Sequence, residues 1–93
     1  MEIRYHLDPV TGLPHIYGHG VTEVEVEAEF VLRHPGEDRP GRDGSRHAVS
    51  LTAVGRYLRV IYVPDRVGDG VFVVTAFELR SKPLRAYRRR KRR

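Results

Sequence analysis

The run His47-Ala48-Val49-Ser50-Leu51-Thr52-Ala53-Val54, then Gly55-Arg56, then Tyr57-Leu58-Arg59-Val60-Ile61-Tyr62-Val63, decides the fold. The first run alternates two sets, Ala48/Ser50/Thr52 and Val49/Leu51/Ala53, and the second is nearly continuous β-former. Val71-Phe72-Val73-Val74-Thr75-Ala76-Phe77 is a third run of the same kind. Gly55-Arg56 reads as a tight two-residue connection, and Pro64–Gly70 as a longer one rich in Pro, Asp and Gly. Strands joined this closely pair antiparallel, because a parallel partner needs a long crossover. The prediction is a three-stranded antiparallel meander. Within it Tyr57 and Tyr62 fall on opposite faces, one toward the core and one toward the surface.

Downstream, Ser81 with Pro83 in the first turn opens a helix over Ser81–Arg93. Upstream, Glu37–Ser45 carries almost nothing apolar and reads as a loop. Val21–Leu32 has two readings. Val24-Glu25-Val26-Glu27-Ala28-Glu29-Phe30 alternates strictly, as a half-wet strand does. Wound as a helix, the segment puts Val21, Val24, Ala28, Val31 and Leu32 on one side and turns Val26 and Phe30 the other way. Thr22 and Glu25 then form a capping box, and Glu23, Glu25 and Glu27 suit the positive end of the helix dipole. Helix is preferred, with His34-Pro35-Gly36 as its stop. Before it, Glu2–His6 can form a short strand, Asp8–Gly12 is turn chemistry, and Pro14 starts a short helix through Tyr17 that Gly18 and Gly20 end. The whole is an α+β plan, with helices packed on one face of a small antiparallel sheet.

At 93 residues the chain has room for one domain, expected over residues 1–80, with 81–93 as a basic terminal helix or tail. Cysteine is absent, which excludes a disulfide framework, a zinc ribbon and a thiol nucleophile. Apolar runs such as Val71–Val74 fall far short of the ~20 residues that cross a bilayer. The start, Met1-Glu2-Ile3-Arg4-Tyr5-His6, lacks a basic region followed by an apolar run, so a cytoplasmic location with no membrane contact is expected.

The net charge of +5 hides a segregation. From Arg80 onward there are nine basic residues and no acid, whereas residues 1–79 hold eight basic and all twelve acidic residues. An acidic body of net −4 therefore carries a +9 end that suits a polyanion. In helical form Arg85, Arg88, Arg89 and Arg92 line one side, with like charges at i, i+4 that favour fraying of the last two turns until phosphates neutralise them.

Several strings add a resemblance. His19-Gly20-Val21 leads into the glutamate-rich helix, Arg46-His47 opens the first meander strand, and Gly55-Arg56-Tyr57-Leu58-Arg59-Val60 follows. Val73-Val74-Thr75-Ala76 then precedes a basic segment containing Tyr87. Over residues 15–90 this order resembles the BrnT-type toxins of the RelE/ParE-like superfamily, as a divergent offshoot. The resemblance implies a small antiparallel sheet with helices on one face, metal-independent RNA cleavage, and an antitoxin-like protein partner. Phe77 stands where the family carries an arginine after Ser-Ala, and Pro83-Leu84 where it carries Glu-Arg. A non-catalytic nucleic-acid-binding or regulatory module of the same fold is the alternative.

Metal-free cleavage moves a proton from the 2′-hydroxyl, stabilises a phosphorane and protonates the leaving oxygen. His47, Glu78 and Tyr87 are the candidates for proton transfer, and Arg46, Arg59 and Arg80 for holding the phosphate. Alternation places Arg46 and His47 on opposite faces unless a bulge intervenes. Arg59, Lys82, Arg85, Arg88, Arg89 and Arg92 are the candidates for RNA binding. His15 and His19 have i, i+4 spacing, but flanking Gly18 and Gly20 argue for packing and not for metal ligation. No cofactor is expected. A homodimer is the further partner considered.

Overall fold

The computed structural model describes residues 1–32 and 36–91. The meander forms as β3 (Arg46–Leu51), β4 (Tyr57–Pro64) and β5 (Val71–Glu78), with antiparallel registers such as Ala48↔Val60↔Ala76. Two further strands flank it. β1 (Ile3–Tyr5) pairs parallel to β5, and β2 (Glu37–Pro40) pairs antiparallel to β3, giving a five-stranded mixed sheet of order β1-β5-β4-β3-β2. The sheet is therefore not antiparallel throughout, and the expected loop after residue 36 begins as an edge strand. Backbone pairing and polar side-chain bonds sustain β2, since Glu37, Asp38, Arg39 and Pro40 bring no apolar side chain of strand type.

A 3-10 helix (His15–His19), α1 (Glu23–Leu32) and α2 (Ser81–Lys91) complete the fold. The turn before the 3-10 helix is held by Asp8, whose Oδ1 accepts the backbone N–H of Val10 at 2.8 Å and of Thr11 at 3.3 Å. At the start of α1 the Glu25 carboxylate accepts the Thr22 backbone N–H, which is one half of the expected capping box. The buried stripe differs from the expected one. Val21 and Val26 enter the core, and Val24 is 78% exposed. Glu27 accepts the hydroxyl of Tyr5 at 3.0 Å, and Glu23 accepts that of Tyr17 at 2.5 Å, so the acidic side of α1 also contacts the body. The proposed stop at His34-Pro35 lies outside the described residues.

The two helices cover opposite faces, not one. Cross-strand partners share a face, and Ala48, Leu58, Val60, Tyr62, Val71, Val73 and Ala76 pack with Ile16, Val21 and Val26 under α1. The alternate residues Val49 and Tyr57 pack with Leu79, Leu84 and Tyr87 under α2. Both sheet faces are apolar at the β3–β4 end, so a helix is needed on each to remove that surface from water. The direction changes between β5 and α2 at Ser81, whose φ of +54° lies in the left-handed region.

The β3–β4 connection is wider than two residues. Thr52 N–H donates to Arg56 O at 2.8 Å across residues 52–56, and Gly55 supplies the positive φ of 87° that closes the turn. This turn aims Arg56 at α1. Its guanidinium donates to both Glu25 oxygens at 3.0 and 2.6 Å and to the Gly20 carbonyl at 2.8 Å, and lies 3.7 Å from Glu78. Among the described residues no helix is long and apolar enough to cross a membrane.

Candidate nucleic-acid interface

The face under α2 is built from alternation in three strands. His47 and Val49 on β3, Tyr57, Arg59 and Ile61 on β4, and Thr75 and Phe77 on β5 occupy facing register positions. β2 adds Glu37 opposite Val49 and Arg39 opposite His47. Tyr87 is buried beneath α2, its ring centroid 5.6 Å from that of Tyr57. Its hydroxyl lies against Gly36, where a Cβ would collide with it.

Cations surround this seam. The Arg88 guanidinium lies 5.4 Å above the Tyr57 ring, and Arg90 lies 5.9 Å from the Tyr87 ring. Arg90 also donates to both oxygens of Glu37, at 2.6 and 2.9 Å, and Lys91 Nζ donates to Gly36 O at 3.0 Å. These contacts and Leu84 dock the helix along its length, where like-charge repulsion alone would favour fraying. Tyr57, Tyr87, Arg88 and Lys91 line a shallow depression of about 340 Å³. Lys82, Arg85, Arg88 and Arg89 remain exposed, and none forms an ion pair among the described residues.

Arg59 occupies the middle of the face, between Val49 and Phe77. Its Nε is buried and has no hydrogen-bond partner among the described residues. Burial pushes the guanidinium below its ordinary value, and the charges of Arg90 and Arg39 push the same way against Glu37. Glu37 is held below the usual carboxylate range chiefly by its bonds to Arg90. His47 is lowered by burial and then by the Arg59 charge, so its imidazole stays neutral at pH 7. Three guanidinium groups thus act electrostatically on one carboxylate. The surplus of positive charge suits an anion with several oxygens.

The other candidates lie elsewhere. Arg46 projects to the α1 face, where Nε donates to Asp38 at 2.8 Å beside the Tyr62 hydroxyl, which donates to the same carboxylate at 2.6 Å. The register irregularity in the β4–β5 pairing, at Ile61/Tyr62, does not reunite Arg46 with His47, whose partners across β3–β4 remain Tyr62 and Ile61. Glu78 also faces the α1 side, near Arg56 and 3.2 Å from Arg80, which is 78% exposed. Of the proposed proton-transfer and phosphate groups, the fold brings His47, Arg59 and Tyr87 to one face and leaves Arg46, Glu78 and Arg80 apart. Arg92 lies outside the described residues. Sequence reasoning missed Arg39, Arg90 and the role of Tyr57. Period-2 alternation links Tyr57 to Arg59, and i, i+3 spacing links Tyr87 to Arg90, but no local signal marks Arg39.

Among the described residues no group of three or more His, Asp or Glu side chains has the geometry to hold a metal ion. Comparison with family models, with curated proteins and with solved structures finds no match to this chain.

Proposed function

We propose that this protein binds RNA on the α2 face, with the phosphate backbone tracking Arg85, Arg88 and Arg89 and reaching inward toward Arg59. The observation that carries the reading is the separation of charge by the sheet. Glu23, Glu25 and Glu27 lie with α1 on one side, while exposed cations without ion pairs among the described residues lie with α2 on the other. A labelled 12-mer of single-stranded RNA, titrated at several salt concentrations, tests it. If about four phosphates are engaged, log affinity falls with log salt at a slope near −3. An Arg85→Ser/Arg88→Ser/Arg89→Ser variant flattens that slope by about 2. Absence of binding, or binding indifferent to salt, overturns the reading.

A second reading, metal-independent cleavage by a toxin-like protein, is favoured by His47. It is a neutral base beside a phosphate-holding arginine on the same face. Under this reading a partner protein of acidic character covers the α2 face and silences the activity. RNA incubated with excess protein in EDTA is expected to be cut, and His47→Gln to abolish cutting. Intact RNA removes the cleavage reading and leaves a non-catalytic module.

A further inference from the structure

Five aromatic rings run without a break around the β1–β5 edge. Ring centroids are separated by 6.5 Å from Phe72 to His6, 5.6 Å to His15, 5.2 Å to His19 and 6.1 Å to Phe77. Phe72 alternates with core Val71 and Val73, and Phe77 follows core Ala76, so both lie on the face that carries α2. The interplanar angles are 73°, 54°, 75° and 58°, so neighbouring rings meet edge-on or tilted and none stacks in parallel on the next. His6 and His19 are exposed, and His15, Phe72 and Phe77 are half-buried. Phe77 is the register partner of Arg59, which joins one end of the arc to the cationic seam.

We infer that this arc is a stacking platform for the bases of single-stranded RNA, an inference that rests on the RNA-binding reading above and adds a second contact to it. Exposed rings such as His6 and His19, on an arc that ends at the cationic seam, offer unpaired bases a stacking partner, whereas a duplex keeps its bases stacked on each other. Three imidazoles also suggest a metal, but among the described residues they do not present a metal-holding geometry.

The test compares single-stranded oligo(rA) with a duplex of equal length and with inorganic polyphosphate of equal charge. His6→Ala/His19→Ala is expected to weaken oligo(rA) binding at least tenfold, leaving the salt slope and polyphosphate affinity unchanged. Both substitutions are at exposed positions, and a circular-dichroism melt checks the fold. The chain contains no tryptophan, so His19→Trp supplies a single reporter on the arc. Its fluorescence should be quenched by oligo(rA) and not by polyphosphate or duplex. Unchanged RNA affinity in the alanine variant, with a silent reporter, overturns the platform and leaves the α2 reading standing. Equal affinity for polyphosphate and oligo(rA) has the same consequence. No binding of any RNA by the unaltered chain overturns both.

Discussion

Arg59 carries a conflict between stability and binding. Its buried Nε lacks a partner among the described residues, and its charge sits beside two other arginines, so the folded chain holds this side chain at a cost. Arg59→Met is therefore expected to leave stability unchanged or raise it by up to about 1 kcal/mol in urea unfolding, while RNA affinity falls. A loss of stability greater than that means the guanidinium has a structural partner. His47 gives a pH signature. Its folded-state value is depressed below 6.5, so on acidification the unfolded chain takes up the proton first. Its contribution is complete above the ordinary histidine range and is lost as pH falls from 6.5 toward the folded-state value. His47→Gln should flatten unfolding free energy against pH in that window, and a profile identical to the parent's would place His47 in a solvent-like setting.

At the scale of elements, each helix has its own attachment. α1 is tied to the sheet by Arg56, which gathers Glu25, the Gly20 carbonyl and Glu78 from three separate segments. Arg56→Ala is predicted to cost about 2 kcal/mol, because it strands partly buried acceptors as well as removing the donor. A double-mutant cycle with Glu25→Gln should show strong non-additivity, and additive losses would mean the pair does not act as a unit. Glu25 is held below the ordinary carboxylate range chiefly by Arg56, so this attachment is complete above pH 4.5 and is lost as pH falls through the lowered value. α2 depends instead on Tyr87, packed on Val49 and Tyr57. Tyr87→Ala is expected to cost about 3 kcal/mol in urea unfolding and to lower RNA affinity with it, since the cations lose their platform. Affinity retained after that substitution would show that the arginines bind as an unfolded tail.

For the whole molecule, the glutamates of α1 and the exposed cations of α2 lie on opposite sides of the sheet, although each side also holds ion pairs of its own. The acidic α1 side and the basic α2 side give the molecule an electrostatic polarity that orients an approaching polyanion toward α2. The association rate with RNA should therefore fall steeply with ionic strength in stopped-flow measurements, while dissociation changes less. A rate flat in salt would mean that the α2 side exerts no long-range pull. Within the molecule the same polarity is stitched at a few places. Arg90–Glu37 holds α2 to β2 at the sheet edge, and Arg4–Asp65, with bonds of 3.1 and 2.5 Å, holds β1 to the β4–β5 connection.

The meander strands, the helix from Ser81 and the cationic end follow from residues 46–93 read locally, because alternation and turn residues act over a few positions. α1 was legible from Thr22 and Glu25, although its buried stripe was not, since Val26 and Val24 exchange roles only when a sheet lies beside them. Tertiary structure alone decided that β1 lies parallel to β5, that Glu37–Pro40 becomes a strand, and that the helices take opposite faces. Each depends on partners far away in the chain. It also paired Arg46 with Asp38, set Arg59 near Arg39 and Arg90, and gathered His6, His15 and His19 with two phenylalanines. Periodicity reports which way a side chain points. What it meets there is determined by long-range pairing and burial.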